Sequence, residues 1–370
     1  MSIVLLLLAS ALSLPVWAQT SSLKTPNISA NALFLYQNSN FHQQDPDLNN
    51  IDQQPNGFDV QETELQIYSD VDPYTRLSLL FSIHPNYESN GTTVEEKWQI
   101  EPEEAYAESN VIPDVTLKIG KFKAFMGKHN TLHTHAYPFV LAPLANVHLL
   151  GDEGLNDAGV SAAILLPTSW YNELTLQILR GAGENTEFSS PTPSDNVGLV
   201  HWKNLWDLSD ALTMEAGVSY AQGANNYQGD TKLAGADWTF KWRPTTGGKY
   251  KSWMWATEYL SRTQQKKNTS DENGSGLATW FQYQFAERWA ALYRFDNLKI
   301  TGSYTPTDLP NKVWERHSVA LVFMPSEFSS FKFEYDQRHG GTVNNKGDNT
   351  EKAFFLQANF TIGSHPAHSY

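Results

Sequence analysis

Hydrophobic and polar residues alternate along most of this chain. In residues 76–84, Leu77, Leu79 and Ile83 fall on one face of an extended segment, and Ser78 and Ser82 fall on the other. The same period of two recurs in residues 212–220 and in residues 331–338, where four charged side chains share one face. Such alternation predicts β-strands with one apolar side and one polar side.

Short turns and longer polar loops separate these strands in regular succession. Residues such as Pro, Gly, Asp, Asn and Ser mark short turns at 70–74, 110–114, 166–170, 207–211, 244–249 and 324–328. A further short turn is predicted at 285–288, although that segment contains none of these residues. Longer loops are predicted at 38–57, 85–96, 124–155, 181–193, 222–230, 264–273, 300–311 and 340–350. The turns join pairs of strands, which gives about sixteen strands. This pattern is typical of an all-β fold, a transmembrane antiparallel β-barrel with short periplasmic turns and longer extracellular loops.

The predicted barrel accounts for the chain after its first residues. Residues 1–18 form an uncharged apolar run that ends with Val16 and Ala18, spaced like the small residues before a signal-peptidase cut. We therefore expect a removed signal peptide at 1–18 and a single barrel domain at 19–370, with an inward-folding third loop at 124–155. Residues 28–37 would pair with residues 353–362 and close the sheet. The alternative architecture is a secreted all-β domain of lectin-like or solenoid type.

Composition narrows the class of protein. The mean hydropathy of -0.45 excludes a bundle of membrane helices, and the aromatic content of 13% suits the girdles of a membrane barrel. The count of 0 Cys excludes disulfides, thiolate metal sites and a cysteine nucleophile. The formal net charge of -14 argues against nucleic acid as a partner. An acidic barrel interior would favour cations.

Recognisable motifs lie in the first third of the chain. Residues 59–128 contain the segments DVQETELQIYSDVDPYTRLSLLF and EEAYAESNVIPDVTLKIGKFKAFMGK. These segments resemble the early strands of the phosphate-selective porin superfamily of outer-membrane channels. The resemblance implies a trimeric porin of about sixteen strands whose third loop narrows the pore. The stretch HNTLHTHAYPFVLAPLANVHLLGDEGLN is also similar to a sub-group of porin-like proteins associated with zinc-responsive regulation.

Charge separates this chain from the phosphate-specific members of that superfamily. Those members owe their anion selectivity to rows of Arg and Lys in the lumen. This chain has 40 acidic and 26 basic residues. We therefore do not expect phosphate selectivity.

Histidines are concentrated in the predicted third loop. His129, His133, His135 and His148 lie there together with Asp152 and Glu153. Imidazole and carboxylate are ligand types that suit zinc and other first-row divalent cations, and a site without Cys would hold such an ion transiently. The spacing is not diagnostic, so three interpretations stay open. They are structural contacts of the loop with the wall or a neighbouring subunit, transient metal binding, and a pH-dependent gate.

Alternation also predicts which charged side chains line the lumen. The set is Glu62, Glu64, Glu104, Glu108, Lys118, Arg294, Arg316 and Arg338. Its acidic members would concentrate cations, or would be merely a solvated wall, and its arginines would oppose them across the pore. The charges of Lys266, Lys267, Asp271 and Glu272 are predicted to lie on a surface loop, where they could meet lipopolysaccharide.

No catalytic motif accompanies this pattern. The chain has no G-x-S-x-G elbow, H-E-x-x-H helix or P-loop. The sequence therefore predicts a non-enzymatic diffusion channel of a Gram-negative outer membrane that requires no cofactor. It would admit small hydrophilic solutes or ions, prefer cations, and be related to divalent metal such as Zn²⁺. The alternative is a barrel-anchored metal-binding or adhesive surface protein without channel activity.

Overall fold

The computed structural model describes residues 26–40, 56–89, 94–151, 153–181, 187–192, 194–302, 311–340 and 350–363. The predicted signal peptide at 1–18, the candidate ligand Asp152 and the tail at 364–370 lie outside the described residues.

Within these ranges, sixteen antiparallel strands form one closed barrel. In chain order they are β1 Asn27–Ser39, β2 Gly57–Asp70, β3 Thr75–Ser89, β4 Val94–Ile112, β5 Val115–Lys123, β6 Asn156–Leu165, β7 Tyr171–Leu179, β8 Val197–Ser209, β9 Leu212–Ala224, β10 Asp230–Trp242, β11 Ser252–Gln264, β12 Glu272–Ala286, β13 Trp289–Thr301, β14 Asn311–Ser326, β15 Ser329–Gly340 and β16 Thr350–Gly363. Each strand pairs with its neighbours in sequence, and β1 pairs with β16. The closure leaves no unpaired sheet edge, so the predicted all-β barrel is confirmed.

The turns between these strands lie where turn-forming residues predicted them. The turn between β4 and β5 places Asp114 at φ 60°, a left-handed conformation that Asp tolerates better than most residues. The predicted loop at 85–96 was too long, because β3 continues to Ser89 and β4 begins at Val94. Backbone pairing runs through this segment, with Pro85 opposite Trp98 and Tyr87 opposite Glu96.

The outer face of the barrel is apolar and rich in aromatic rings. Ile119 is 61% exposed and Val319 is 55% exposed on this face, a degree that suits contact with lipid and not with water. Near the β10–β11 turn, the rings of Phe240 and Trp255 stack with centroids 5.8 Å apart. A closed barrel with this exterior belongs in the outer membrane of a Gram-negative bacterium.

The longest described connection joins β5 to β6 and folds into the barrel. This segment, residues 124–155, is called loop 3 below. It contains 3₁₀ turns at His129–Thr131 and Thr134–Ala136 and one short helix, α1, at Leu144–Leu150. Among the described residues, no helix is both long enough and apolar enough to span a membrane.

Loop 3 packs against apolar side chains of the inner wall. Met126, Leu149 and Leu150 of the loop are fully buried, in one cluster with wall residues such as Leu233 and Leu260. Gly276 of β12 permits close approach of α1, because a Cβ there would lie 2.7 Å from the Cβ of Ala145. The barrel interior is therefore occupied by a packed loop at this level.

Candidate functional site

Glu258 of β11 holds two parts of loop 3 to the wall. Its carboxylate accepts hydrogen bonds from the backbone N–H groups of Lys128 and His129, each at 2.8 Å, and from the side chain of Asn146, also at 2.8 Å. The Glu258 side chain is only 2% exposed. A single buried carboxylate thus joins the beginning of the loop to α1.

The backbone at Gly127 allows this contact. Gly127 has φ +69°, and a Cβ at this position would lie 2.9 Å from Cδ of Glu258. Any other residue would face both a disfavoured conformation and a clash with the carboxylate. Gly127 also donates its backbone N–H to Ser219 Oγ at 3.0 Å.

Two arginines bind the middle of loop 3. Arg294 donates to the backbone carbonyl of Leu141 at 2.7 Å, and Arg316 donates to the carbonyl of Ala142. Both guanidinium groups also flank Asp296, at 3.1 and 2.7 Å. They lie inside the barrel, as alternation predicted, but they bind the loop and a neighbouring carboxylate instead of facing acids across an open lumen.

Further contacts extend these anchors along β15 and β16. Glu334 accepts the backbone N–H of Val140 at 2.7 Å, and Lys332 donates to the carbonyl of Tyr137 at 2.9 Å. Arg338 is also inside and forms an ion pair with Glu351. Wall residues of β9, β11, β13, β14 and β15 therefore hold loop 3 in place.

His133 and His135 face a wall of glutamates. His133 Nδ1 lies 2.8 Å from Glu103 Oε2, and its Nε2 lies 3.2 Å from Glu104 Oε2. His135 Nδ1 lies 2.7 Å from Glu64 Oε1. The two imidazole rings are parallel, with centroids 6.1 Å apart. Between them, Thr134 donates its hydroxyl to Glu62 Oε2 at 3.0 Å.

The other candidate ligands of loop 3 have different surroundings. His129 packs against the ring of Tyr137, with centroids 4.5 Å apart, and His148 stacks on Trp314 at 5.3 Å. Burial, with the nearby charges of Arg294 and Lys123, lowers the pKa of His129 well below its usual value. Glu153 lines a small cavity with His129. The structure therefore does not gather the loop histidines into one group, and their role as metal ligands stays a prediction.

Two more charged pairs lie on the inner wall. Lys118 approaches Glu108 at 3.8 Å and lies over the ring of Tyr106 at 4.1 Å. Lys128 of loop 3 donates to Glu215 at 2.8 Å. Lys118 and Lys128 are thus each paired with a glutamate of the inner wall.

Glu103 is a site residue that alternation missed. Simple alternation along β4 places Glu104 inside and Glu103 outside. A register shift opposite Leu80 and Phe81 instead leaves Glu103 without a cross-strand partner, and both carboxylates reach His133. Pro102 was the available signal, because proline inside a strand often marks a bulge.

The charges of the predicted surface loop near β12 are partly internal. Lys266 and Arg262 both bind Glu272, and Glu272 is 6% exposed. Arg262 also pairs with Glu187 at 2.6 Å. The prediction of Lys266 and Glu272 as surface charges was wrong, because the buried Glu272 carboxylate binds both Arg262 and Lys266.

The buried charges of the barrel are mainly acidic. Among the described residues, twelve acidic side chains are buried, which are Glu62, Glu64, Glu103, Asp157, Glu187, Asp237, Glu258, Glu272, Asp296, Glu334, Asp336 and Glu351. Six basic side chains are buried, which are Lys123, Arg262, Arg294, Arg316, Lys332 and Arg338. A large share of the chain's negative charge therefore lies inside the barrel.

Comparison with solved structures places this fold among outer-membrane proteins. OmpT of Vibrio cholerae with loop L8 deleted aligns with a TM-score of 0.57 at 9% identity, over 91% of this chain and 99% of that one. The outer-membrane channel DcaP of Acinetobacter baumannii aligns with a TM-score of 0.56 at 10% identity, over 91% and 96% of the two chains. The anion-selective porin of Comamonas acidovorans aligns with a TM-score of 0.56 at 6% identity, over 91% and 99%. The fold is that of outer-membrane porins.

Sequence comparison adds a relative without a described role. A protein of Aquifex aeolicus strain VF5, named only as uncharacterized, is 29% identical over 352 residues, which cover 85% of this chain and 70% of that protein. No family model matches the chain. At the level of sequence, therefore, no function is transferred from a relative.

Proposed function

We propose that this protein is a passive diffusion channel of the outer membrane whose third loop narrows the lumen and whose selectivity favours cations, including divalent ions such as zinc. The observation that carries the proposal is the position of loop 3. Loop 3 lies inside a closed barrel. Among the described residues, twelve acidic and six basic side chains are buried there. An acidic, low-dielectric constriction raises the local concentration of cations.

The comparisons support the channel at the level of fold. DcaP is named an outer-membrane channel, and the protein of Comamonas acidovorans is named a porin. The latter is anion-selective by name, so fold alone does not decide the sign of the selectivity. For this chain the sign is inferred from the buried charge. No step of the proposal requires catalysis or a cofactor.

Reversal potentials in a planar bilayer test the selectivity. KCl is present at unequal concentrations on the two sides of the bilayer. The wild type should give ohmic, stepwise currents whose reversal potential has the sign expected for a cation-selective channel. Replacing Glu62 and Glu104 with Gln should move the reversal potential toward zero, because two carboxylates of the loop-facing wall are lost. Glu287→Gln is the matched control, since its side chain is 54% exposed and lies in a turn. A reversal potential of the opposite sign, as expected for an anion-selective channel, would refute the cation preference.

Block by zinc tests the relation to divalent ions. Zinc should reduce the current of the wild type, and replacing His129, His133 and His135 with Ala should weaken the block. His148→Ala serves as a control from the same loop, because the His148 ring stacks on Trp314 of β14. If block and reversal potential are the same in all variants, the histidines only support the loop.

A second function is favoured by one specific observation. Loop 3 is packed so closely that Met126, Leu149 and Leu150 are fully buried. A barrel filled in this way would also suit a membrane anchor for a metal-binding or adhesive surface protein. Folded protein that gives no stepwise currents in the bilayer would support this function and refute the channel.

Assembly and family membership complete the proposal. We infer a homotrimer embedded in lipid and lipopolysaccharide. A trimer form is named for OmpT of Vibrio cholerae, which aligns with a TM-score of 0.57 at 8% identity. The motifs in residues 59–128 favour membership of the phosphate-selective porin superfamily, without phosphate selectivity. Light scattering of the detergent-solubilised protein gives the number of chains, and a monomer would contradict the assembly.

A further inference from the structure

Three donor residues from separate elements meet at the contact between loop 3 and the wall. Glu64 comes from β2, Glu103 from β4 and His133 from loop 3, and one ligand atom of each lies within 4.8 Å of the other two. Their exposures are 2%, 6% and 4%, so the group is shielded from bulk solvent. Glu62 of β2 and His135 of loop 3 border the same group through Thr134 and Glu64.

Carboxylate oxygens in this group lack hydrogen-bond donors. Glu64 Oε2 and Glu62 Oε1 are buried and accept no hydrogen bond from any described residue. A buried carboxylate oxygen without a donor or cation is costly, because the charged group has lost its hydrogen bonds to water. Glu62 and Glu64 lie two residues apart on one strand, so their side chains share the inner face. The two carboxyl groups also lie within hydrogen-bonding reach of each other, so either a shared proton or a cation would offset their mutual repulsion.

The balance of fixed charge points the same way. Four glutamates, Glu62, Glu64, Glu103 and Glu104, contact the segment His133 to His135. The charge of Lys123 acts on Glu64 and Glu103, and the charge of Lys118 acts on Glu104. Two lysines do not neutralise four carboxylates. The deficit can be met by protons on the histidines and glutamates or by a bound cation.

We propose that Glu64, Glu103 and His133 form a binding site for a first-row divalent cation of the zinc type, with Glu62 and His135 as adjoining donors. Imidazole nitrogen with carboxylate oxygens and no thiolate is a donor set that suits zinc and its neighbours. Zinc–nitrogen and zinc–oxygen bonds of about 2.0–2.2 Å hold tetrahedral ligands about 3.3–3.5 Å apart. Side-chain shifts on the order of 1 Å would bring the three ligand atoms to that spacing.

The site differs from a cluster made by the loop alone. Its carboxylates come from two wall strands, and its histidine comes from loop 3, so a bound ion would join the loop to β2 and β4. His129 and His148 are outside the group of donor atoms. The proposal deepens the proposed function by naming the cation class and its position, but binding itself can be measured on protein that conducts no current.

Zinc binding to the full-length protein in detergent tests the site. The wild type is stripped with a chelator and titrated with zinc by calorimetry, and the metal retained after dialysis is counted by mass spectrometry. Glu64→Gln, Glu103→Gln and His133→Ala should each weaken binding at least about tenfold, since even outer partners of metal ligands typically cost about 10–100-fold. Glu108→Gln, on the same strand as Glu103, and His148→Ala should bind as the wild type does. A difference in gel migration between unheated and heated samples verifies that each variant is folded.

X-ray absorption of the zinc-loaded wild type provides a measurement that needs no variant. The expected first shell contains imidazole nitrogen and carboxylate oxygen. A wild type that retains no zinc, a first shell of water alone, or folded variants with unchanged affinity would each overturn the site and favour protons as the neutralising charge. Currents without zinc binding would refute only this site, whereas zinc binding without currents would refute only the channel.

Discussion

Removing the Glu258 carboxylate should release loop 3 from the wall. In Glu258→Ala, the backbone donors of Lys128 and His129 and the amide of Asn146 lose their acceptor. A buried donor left without a partner costs about 1–3 kcal/mol, so three of them cost at least about 3 kcal/mol of docking free energy. At about 1.4 kcal/mol for each factor of ten, the undocked population should rise at least roughly a hundredfold.

Glu258→Gln should be much milder and serves as the matched control. The Gln oxygen can accept the two backbone N–H groups, while its NH₂ group faces Asn146. Asn146 Oδ1 is buried and accepts no hydrogen bond from a described residue, so a rotated Asn146 amide can accept from this NH₂. Only the charge is then lost.

Trypsin cleavage after Lys128 measures the undocked population. Lys128 is the one Lys or Arg in residues 124–155, and its ammonium is held by Glu215 inside the barrel. When loop opening is fast relative to cleavage, the cleavage rate follows the open population. Folded Glu258→Ala should be cut at least roughly a hundredfold faster than the wild type, and Glu258→Gln only slightly faster. Equal rates for all three proteins would refute the role of Glu258.

Two further changes address other anchors of the loop. Gly276→Ala should push α1 off the wall, because the new Cβ would meet the Cβ of Ala145 at 2.7 Å and the carbonyl of Asn297 at 2.9 Å. Single-channel currents should become larger and noisier, Ala145→Gly should restore part of the wild-type behaviour, and unchanged currents would contradict this packing. Arg316→Ala removes a partner of Asp296, which is 1% exposed, and breaking a buried ion pair of this kind typically costs about 3–5 kcal/mol. The temperature at which the folded gel band disappears should fall, and an unchanged temperature would contradict a stabilising role for the pair.

The architecture follows from local patterns in the sequence. Period-two alternation and turn residues were sufficient for the number and order of the strands, because each strand must present one face to lipid and pair with the next. They also placed the first and last strands together. The extension of β3 and β4 to Ser89 and Val94 was missed, because Pro85 and polar residues resemble a loop when backbone pairing is not visible.

The site could be predicted only in part. Alternation placed Glu62, Glu64 and Glu104 on the inner wall. It did not predict Glu103, whose direction depends on a bulge, or the apolar inner residues Leu233 and Leu260, which face the lumen because loop 3 covers them. Which histidine meets which glutamate depends on how 32 residues of loop fold within a closed barrel. Such long-range packing has no signature in residue spacing.

Shortening loop 3 tests the central claim most directly. The strand ends Lys123 and Asn156 are paired, so a short Gly-Ser linker can replace residues 128–151 without separating β5 from β6. In planar bilayers, the shortened protein should give larger current steps than the wild type and weaker cation selectivity, because the packed constriction and its acidic contacts are gone. Current steps of equal size in the two folded proteins would contradict the account that loop 3 narrows the lumen.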